Sequence, residues 1–135
     1  MRYRKFEDLP IWQTAHKIEQ QLGRITAREA FRRDWALRDQ LRRSTASMMG
    51  NVAEGFSRRS DKEFAQFLFI AKASAAETQS HLYAALGRGC ITSKEFQTLY
   101  GEIESFCRQA SGLIKFLTGH AKRMTAVKAP PSKTL

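Results

Sequence analysis

Cysteine is nearly missing from this chain of 135 residues: Cys90 and Cys107 form neither a disulfide framework nor a metal-binding pattern. Both are expected to be reduced, and Cys107 falls inside a helical repeat where it reads as a small buried hydrophobe. Long apolar runs are missing too. No segment approaches the roughly 18 to 20 uninterrupted apolar residues of a membrane span, so no membrane role is expected. The start, Met1-Arg2-Tyr3-Arg4-Lys5, is basic but lacks an apolar h-region and a small-residue cleavage site, which points to the cytoplasm. No stretch alternates with period two over strand length between hairpin turn residues, so no sheet is expected.

Catalytic signatures are equally scarce. There is no Walker loop, Gly-x-Ser-x-Gly, His-Glu-x-x-His or Cys-x-x-Cys, and His16, His81 and His120 lie far apart. A di-iron bundle needs Glu-x-x-His from two helices. Here Glu77 and His81 stand four apart without a second such pair, so no metal or other cofactor is expected; the pair has a polar or subunit-contact role instead. The reading is of a chain that is not an enzyme.

What is present is positive charge. Lys plus Arg number 23 against 13 acidic residues, a net +10 with a pI near 10.1. Residues 1–59 hold 13 basic and 7 acidic side chains, residues 60–119 hold 6 of each, and residues 120–135 hold 4 basic and no acidic ones. Such asymmetry suggests a polyanionic partner, RNA or DNA, because Lys and Arg on phosphate release condensed counterions. A solvated basic surface is the alternative.

The remaining pattern is helical. Asp8 reads as an N-cap ahead of Pro10, and Ile11, Ala15, Ile18, Leu22 and Ile25 follow at 4-3-4-3 spacing. After a basic connection containing Arg28, Arg32 and Arg33, a second register runs Leu37, Leu41, Ser44, Met48 and Val52, with Gly55 as its C-terminal stop. Ser60-Asp61-Lys62-Glu63 is a capping box that opens a third helix, expected to be the longest, through Phe64, Leu68, Ala71, Ala75, Thr78 and Leu82 to Gly87 or Gly89. A second box, Thr92-Ser93-Lys94-Glu95, opens a fourth, whose Phe96, Leu99, Ile103, Phe106, Ala110, Leu113 and Leu117 hold register until Gly119. The expected fold is all-α, an antiparallel up-and-down four-helix bundle with helices near 9–26, 34–56, 61–87 and 93–118. The domain spans 1–119, and 120–135 is expected to be a basic, disordered tail.

Two surfaces carry the functional expectation. Opposite its core stripe the third helix presents Phe69, Ala73, Ala76, Ser80 and Tyr83, a second apolar face suited to an oligomer interface unless loops or the tail cover it. Arg38, Arg42 and Arg43 lie within about one turn, and Arg58 and Arg59 precede a helix N-terminus; these five are the candidate phosphate-binding residues. The competing reading pairs Arg42 with Asp39 or Glu54, and sets Arg58 and Arg59 against the dipole of the preceding helix. Asn51 and Glu54 read as a buried polar pair that fixes helix alignment. Aromatics beside the arginines are few and read as core-bound, so base stacking is not expected.

Phe6-Glu7-Asp8-Leu9 with Trp12, Gln40-Leu41-Arg42-Arg43, Asn51-Val52-Ala53-Glu54-Gly55-Phe56, and Arg58-Arg59-Ser60-Asp61-Lys62-Glu63-Phe64 form a recognisable set, joined by Ser74 and Glu77. Over roughly residues 3–118 the chain resembles the four-helix-bundle family of 23S rRNA intervening-sequence proteins. That family is similar in fold to the accessory variability proteins of diversity-generating retroelements, basic pentameric barrels that bind nucleic acid and a partner reverse transcriptase. The resemblance therefore implies a homopentamer, a nucleic-acid ligand and a protein partner of that kind. Met49 stands where family members often carry proline, so the kink is expected to be absent or softened. The expected function is a non-enzymatic, oligomeric nucleic-acid-binding scaffold reading charge and shape; the alternative is an oligomeric adaptor whose basic surface meets an acidic protein.

Overall fold

The computed structural model describes the backbone of residues 2–128 and the side chains of residues 2–119. A short 3-10 turn, Phe6–Asp8, leads into α1 (Pro10–Ile25), α2 (Glu29–Arg32), α3 (Trp35–Phe56), α4 (Asp61–Gly87) and α5 (Ser93–Lys128), with no strand among the described residues. The all-α expectation holds, and four of the five helices are long.

Most of the expected registers form the core, although Ile25, Phe96 and Leu113 are only partly buried against it and Ile114 is buried where Leu113 was expected. Ile11, Ala15, Ile18 and Leu22 of α1 are buried with Leu37, Leu41, Met48 and Val52 of α3, Phe64, Leu68, Ala71, Ala75 and Leu82 of α4, and Leu99, Ile103, Phe106, Ala110 and Leu117 of α5. Each large side chain among them contributes about 1.5–3 kcal/mol by leaving water. Ser44 and Thr78 lie inside the same core, where Thr78 Oγ1 stands 2.8 Å from both Ser44 Oγ and the Ser74 carbonyl oxygen, its single proton shared between them.

Cross-contacts fix the directions. Ser47 meets Ser74 and Ser44 meets Thr78, so numbers rise on α4 as they fall on α3. Gln79 reaches Glu104 while the Tyr83 ring sits 4.8 Å from that of Phe96, which makes α4 and α5 antiparallel as well. Lys17 of α1 faces Glu102, and Arg28, three residues past the end of α1, faces Glu95 near the start of α5, which does the same for α1 and α5. Helix α1 also packs on α3, closing a ring in the order α1, α3, α4, α5. The α1–α3 and α4–α5 connections therefore share one end of the bundle, called here the α2 end, and the α3–α4 turn lies at the other.

Both capping boxes form. Ser60 Oγ accepts from the Glu63 N–H at 3.2 Å, and the Glu63 carboxylate accepts from the Ser60 hydroxyl at 3.1 Å. Thr92 and Glu95 make the fully reciprocal version, with bonds of 3.1 and 2.9 Å. These fix the starts of α4 and α5 where expected.

Five expectations are corrected. Asp8 is not the N-cap of α1: buried Leu9 takes that position, while Asp8 completes the 3-10 turn and the Gln13 side chain donates to the Glu7 carbonyl at 3.0 Å. The basic connection is not plain coil; four of its residues form α2, because Phe31 drops into the core and the chain must coil locally to put it there. Gly55 does not stop α3, which runs to Phe56 with Ser57 as C-cap. Its missing Cβ serves packing instead, since a Cβ there would lie 2.7 Å from Phe67 Cβ and 2.8 Å from Phe64 Cδ1.

The fourth and fifth corrections concern α5. It passes Gly119 and continues to Lys128, which makes it the longest helix at 36 residues against 27 for α4. Glycine weakens a helix by only about 1 kcal/mol, and the good helix formers Ala121, Lys122, Arg123, Met124 and Ala126 follow. Residues 120–128, expected in a disordered tail, are thus helical, and residues 129–135 lie outside the described residues. Helix α3 runs unbroken through Met49 and Gly50.

Candidate nucleic-acid interface

The five arginines singled out from the sequence do not form one cluster. Arg38, Arg42 and Arg43 sit on the first turns of α3 at the α2 end, whereas Arg58 and Arg59 occupy the α3–α4 turn. Fourteen residues of helical rise, about 21 Å, separate Arg42 from Phe56 at the end of α3, beyond which Arg58 lies in the turn. Arg38 is spent on Asp39 at 3.2 Å. Arg42 pairs with neither Asp39 nor Glu54: its Nε donates to Thr26 Oγ1 at 2.9 Å, tying α3 to the end of α1. Arg58 lies 3.7 Å from Glu54 and packs its guanidinium 4.7 Å from the Phe67 ring centroid. Arg43 and Arg59 are exposed and have no ion pair among the described residues.

The expected buried Asn51–Glu54 pair is also corrected. Glu54 is exposed and accepts from Ser57, because it falls on the outer side of the last turn of α3. Asn51 instead donates to the Ser47 carbonyl and hydroxyl at 2.9 and 3.0 Å, extending the polar seam between α3 and α4.

The fold gathers a stronger basic surface than the sequence pairs suggested. Residues 24–43 hold seven arginines and three carboxylates, and α2 folds this stretch over one end of the bundle. Each carboxylate is already committed: Glu29 to Arg32 at 3.5 Å, Asp34 to Arg88 at 2.8 Å, and Asp39 to Arg38. Across the α1–α5 seam Arg28 grips Glu95 with both terminal nitrogens. That grip, seconded by the Thr92 N–H, holds the Glu95 carboxyl down at about 2, so the pair stays charged at neutral pH. Burial, with Asp34 nearby, pushes the Cys90 thiol up and keeps it protonated.

Once these pairs are made, Arg24, Arg33, Arg42 and Arg43 have no carboxylate partner among the described residues. Arg24 and Lys94 also line an open cleft of about 530 Å³ between the end of α1 and the start of α5. Arg24, Arg88 and Lys94 are functional candidates that the linear sequence does not mark. Arg33 had been visible as part of a basic connection, but Arg88 and Lys94 reach this end only through antiparallel packing.

Two hydrophobic features complete the surface. Phe69 and Tyr83 on α4 are 56% and 59% exposed, with Ala73, Ala76 and Ser80 exposed between them, so the described residues leave the expected second face open. Tyr83 is not wholly free, since its ring packs on Phe96 and Tyr100. Trp35, the first residue of α3, is 63% exposed and contradicts the expectation that aromatics near the arginines are core-bound. It lies two residues before Leu37, off the inward register. Glu77 and His81 approach to 3.6 Å, and among the described residues no three His, Cys, Asp or Glu side chains could hold a metal ion. No described helix is long and apolar enough to cross a membrane.

Among the described residues these features define a helical bundle with one arginine-rich end and one open apolar helix face. Within that class the chain belongs to the 23S rRNA-intervening sequence protein family, whose profile matches residues 7–112. A similar solved structure is a protein of unknown function from the S23 ribosomal protein family of Bacteroides thetaiotaomicron VPI-5482. The two share 18% identity at a TM-score of 0.71, over 78% of this chain and 98% of that one, a likeness of fold. Comparison with curated proteins finds no match.

Proposed function

We propose that this chain is a non-enzymatic, oligomeric scaffold of the cytoplasm that binds RNA or DNA through the phosphate backbone, by charge and shape. The observation that carries the reading is the α2 end, where Arg24, Arg33, Arg42 and Arg43 remain after every nearby carboxylate is paired. Guanidiniums without a carboxylate partner, concentrated by the fold, are the kind of surface that favours a phosphate ligand. The family's association with a 23S rRNA intervening sequence by name agrees with a nucleic-acid setting. Self-association through Phe69, Ala73, Ala76, Ser80 and Tyr83 fits the open face of α4, and the resemblance favours a pentamer with a reverse transcriptase-like protein partner.

Salt dependence tests this directly. Binding to mixed-sequence RNA and DNA should weaken as salt rises, with log K falling about 0.7 to 0.9 per phosphate neutralised. Replacing Arg42 and Arg43 together by Ala should reduce that slope by about 1 to 2 and weaken all sequences alike. Replacing Arg58 and Arg59 should do less, because Arg58 is already held by Glu54 and Phe67. Light scattering on the same samples reads the assembly, and a monomer at micromolar concentration would remove the oligomer. No salt-sensitive binding to either polymer near 50 mM salt would leave the acidic-protein adaptor as the reading.

A further inference from the structure

Among the described residues Trp35 has no structural task that explains its place. The interior at the start of α3 is already filled by Phe31 and Leu37, both buried. Trp12, the other tryptophan, is engaged, its ring 4.8 Å from His16 and 5.2 Å from Phe6. Trp35 has no ring partner among the described residues and is the most exposed large hydrophobic side chain among them.

Its surroundings are cationic. Arg33 precedes it by two residues without an acid partner, and Arg42 follows on the same outer face of α3, two turns or about 10 Å along. The nearest carboxylate in sequence, Asp34, is turned to Arg88 at 2.8 Å and makes no side-chain cap on α3. The N–H groups of the first turn beneath Trp35 therefore carry no capping side chain, which adds a weak attraction for phosphate beside the ring.

An exposed indole among unpaired guanidiniums matches a particular form of polyanion. In a duplex the base faces are stacked on one another and closed to a side chain, so a duplex uses the arginines and leaves the indole idle. A single strand offers both phosphates and free base faces, and aromatic stacking with a basic track is how proteins hold it without reading sequence. We propose that the α2 end is a single-strand site, in which a base stacks on Trp35 while flanking phosphates contact Arg33 and Arg42. This rests on the phosphate-binding reading above and narrows its ligand from nucleic acid in general to unpaired strands.

The test uses the full chain with Trp12→Phe, so that Trp35 is the sole tryptophan reporter. Fluorescence is titrated with a single-stranded RNA oligonucleotide, the DNA of the same sequence, and the duplex of each. Single strands should quench Trp35 and duplexes should not; the RNA and DNA arms show which sugar is preferred. In the chain with Trp12 intact, Trp35→Ala should weaken single-strand binding about 5- to 100-fold, Trp35→Phe should recover part of it, and duplex affinity should stay unchanged. Equal quenching by duplex, or single-strand affinity unaltered in Trp35→Ala while salt-sensitive binding persists, would overturn the stacking site and leave the phosphate reading intact. If light scattering showed that Trp35→Ala instead changes the oligomer size, Trp35 would belong to a contact between copies and the inference would fail. Absence of salt-sensitive binding to any of the four ligands would mark failure of the phosphate reading itself.

Discussion

Two glycines on one helix should respond to the same substitution with opposite signs. Gly50 lies in the middle of α3 with nothing within 4 Å of an added Cβ, so Gly50→Ala gains helix propensity alone, about 0.5–1 kcal/mol. Gly55, five residues on, gains the same propensity but meets Phe67 Cβ at 2.7 Å, Phe64 Cδ1 at 2.8 Å and the Phe64 carbonyl oxygen at 3.2 Å. Two of those atoms are close to or part of the α4 backbone, so relief requires the helices to separate. Overpacking of this kind costs about 1–3 kcal/mol, which outweighs the propensity gain. The two variants should therefore differ by about 1–3 kcal/mol, or on the order of 1 M in urea midpoint at the m-values usual for small domains. Urea unfolding followed by circular dichroism at 222 nm, at matched protein concentration, measures the contrast. If Gly55→Ala stabilised the protein as much as Gly50→Ala, the close approach of α3 and α4 at Gly55 would be refuted and the glycine would be a helix stop after all.

The same unfolding assay checks two further expectations. Phe106, wholly buried in the α5 register, should cost about 3–5 kcal/mol when replaced by Ala, and a loss under about 1 kcal/mol would mean the buried face of α5 is wrongly assigned. Glu95, whose carboxyl titrates near 2 in the folded chain against an ordinary value of 4.5, stabilises the fold above pH 4.5, and that contribution fades as pH falls from 4.5 towards 2. Glu95→Gln should thus cost about 1 kcal/mol at pH 7, modest because the Arg28 pair faces solvent, with the gap from the unaltered protein closing near pH 2; a gap independent of pH would refute the ion pair.

The fold was legible where it depends on neighbours in sequence. The boxes at Ser60–Glu63 and Thr92–Glu95 are closed by bonds spanning three residues, and the 3-4 registers of α3 and α5 predict burial because helical geometry alone sets which side chains share a face. Legibility failed where one residue type serves two ends. Glycine marks both helix stops and close helix contacts, and only the position of Phe67 decides which Gly55 is. Asp8 looks like a cap, yet burial of Leu9 takes the cap position from it. Four residues of α2 are too few to show a period, so Phe31 gave no signal as a core residue. The site was less legible than the fold. Arg28 and Glu95, or Asp34 and Arg88, are paired across the antiparallel bundle, and those pairings decide which arginines are left over. Trp35 did carry a sign: two residues before Leu37 it falls roughly opposite the core stripe, and the helical wheel for α3 alone places it outside.

The geometry also bears on how assembly and binding coexist under the proposed function. In the ring α1, α3, α4, α5, helix α4 lies diagonally across from α1. The open apolar side chains Phe69 and Ala73 belong to α4, whereas Arg24 lies on α1 and Arg42 leans towards α1 through Thr26. A contact between copies through the outer side of α4 therefore leaves the α1-side arginines clear, and each copy added to an assembly adds another basic end. If the individual sites work through exposed, screened charges, one copy would hold a strand weakly near physiological salt. Several copies on one strand would convert later contacts into intramolecular ones, so affinity would grow by effective concentration while the charge neutralised per copy stayed fixed. Oligomerisation would then serve binding without supplying any residue to the site, which is how, under the proposed function, an open basic end could act as a nucleic-acid scaffold.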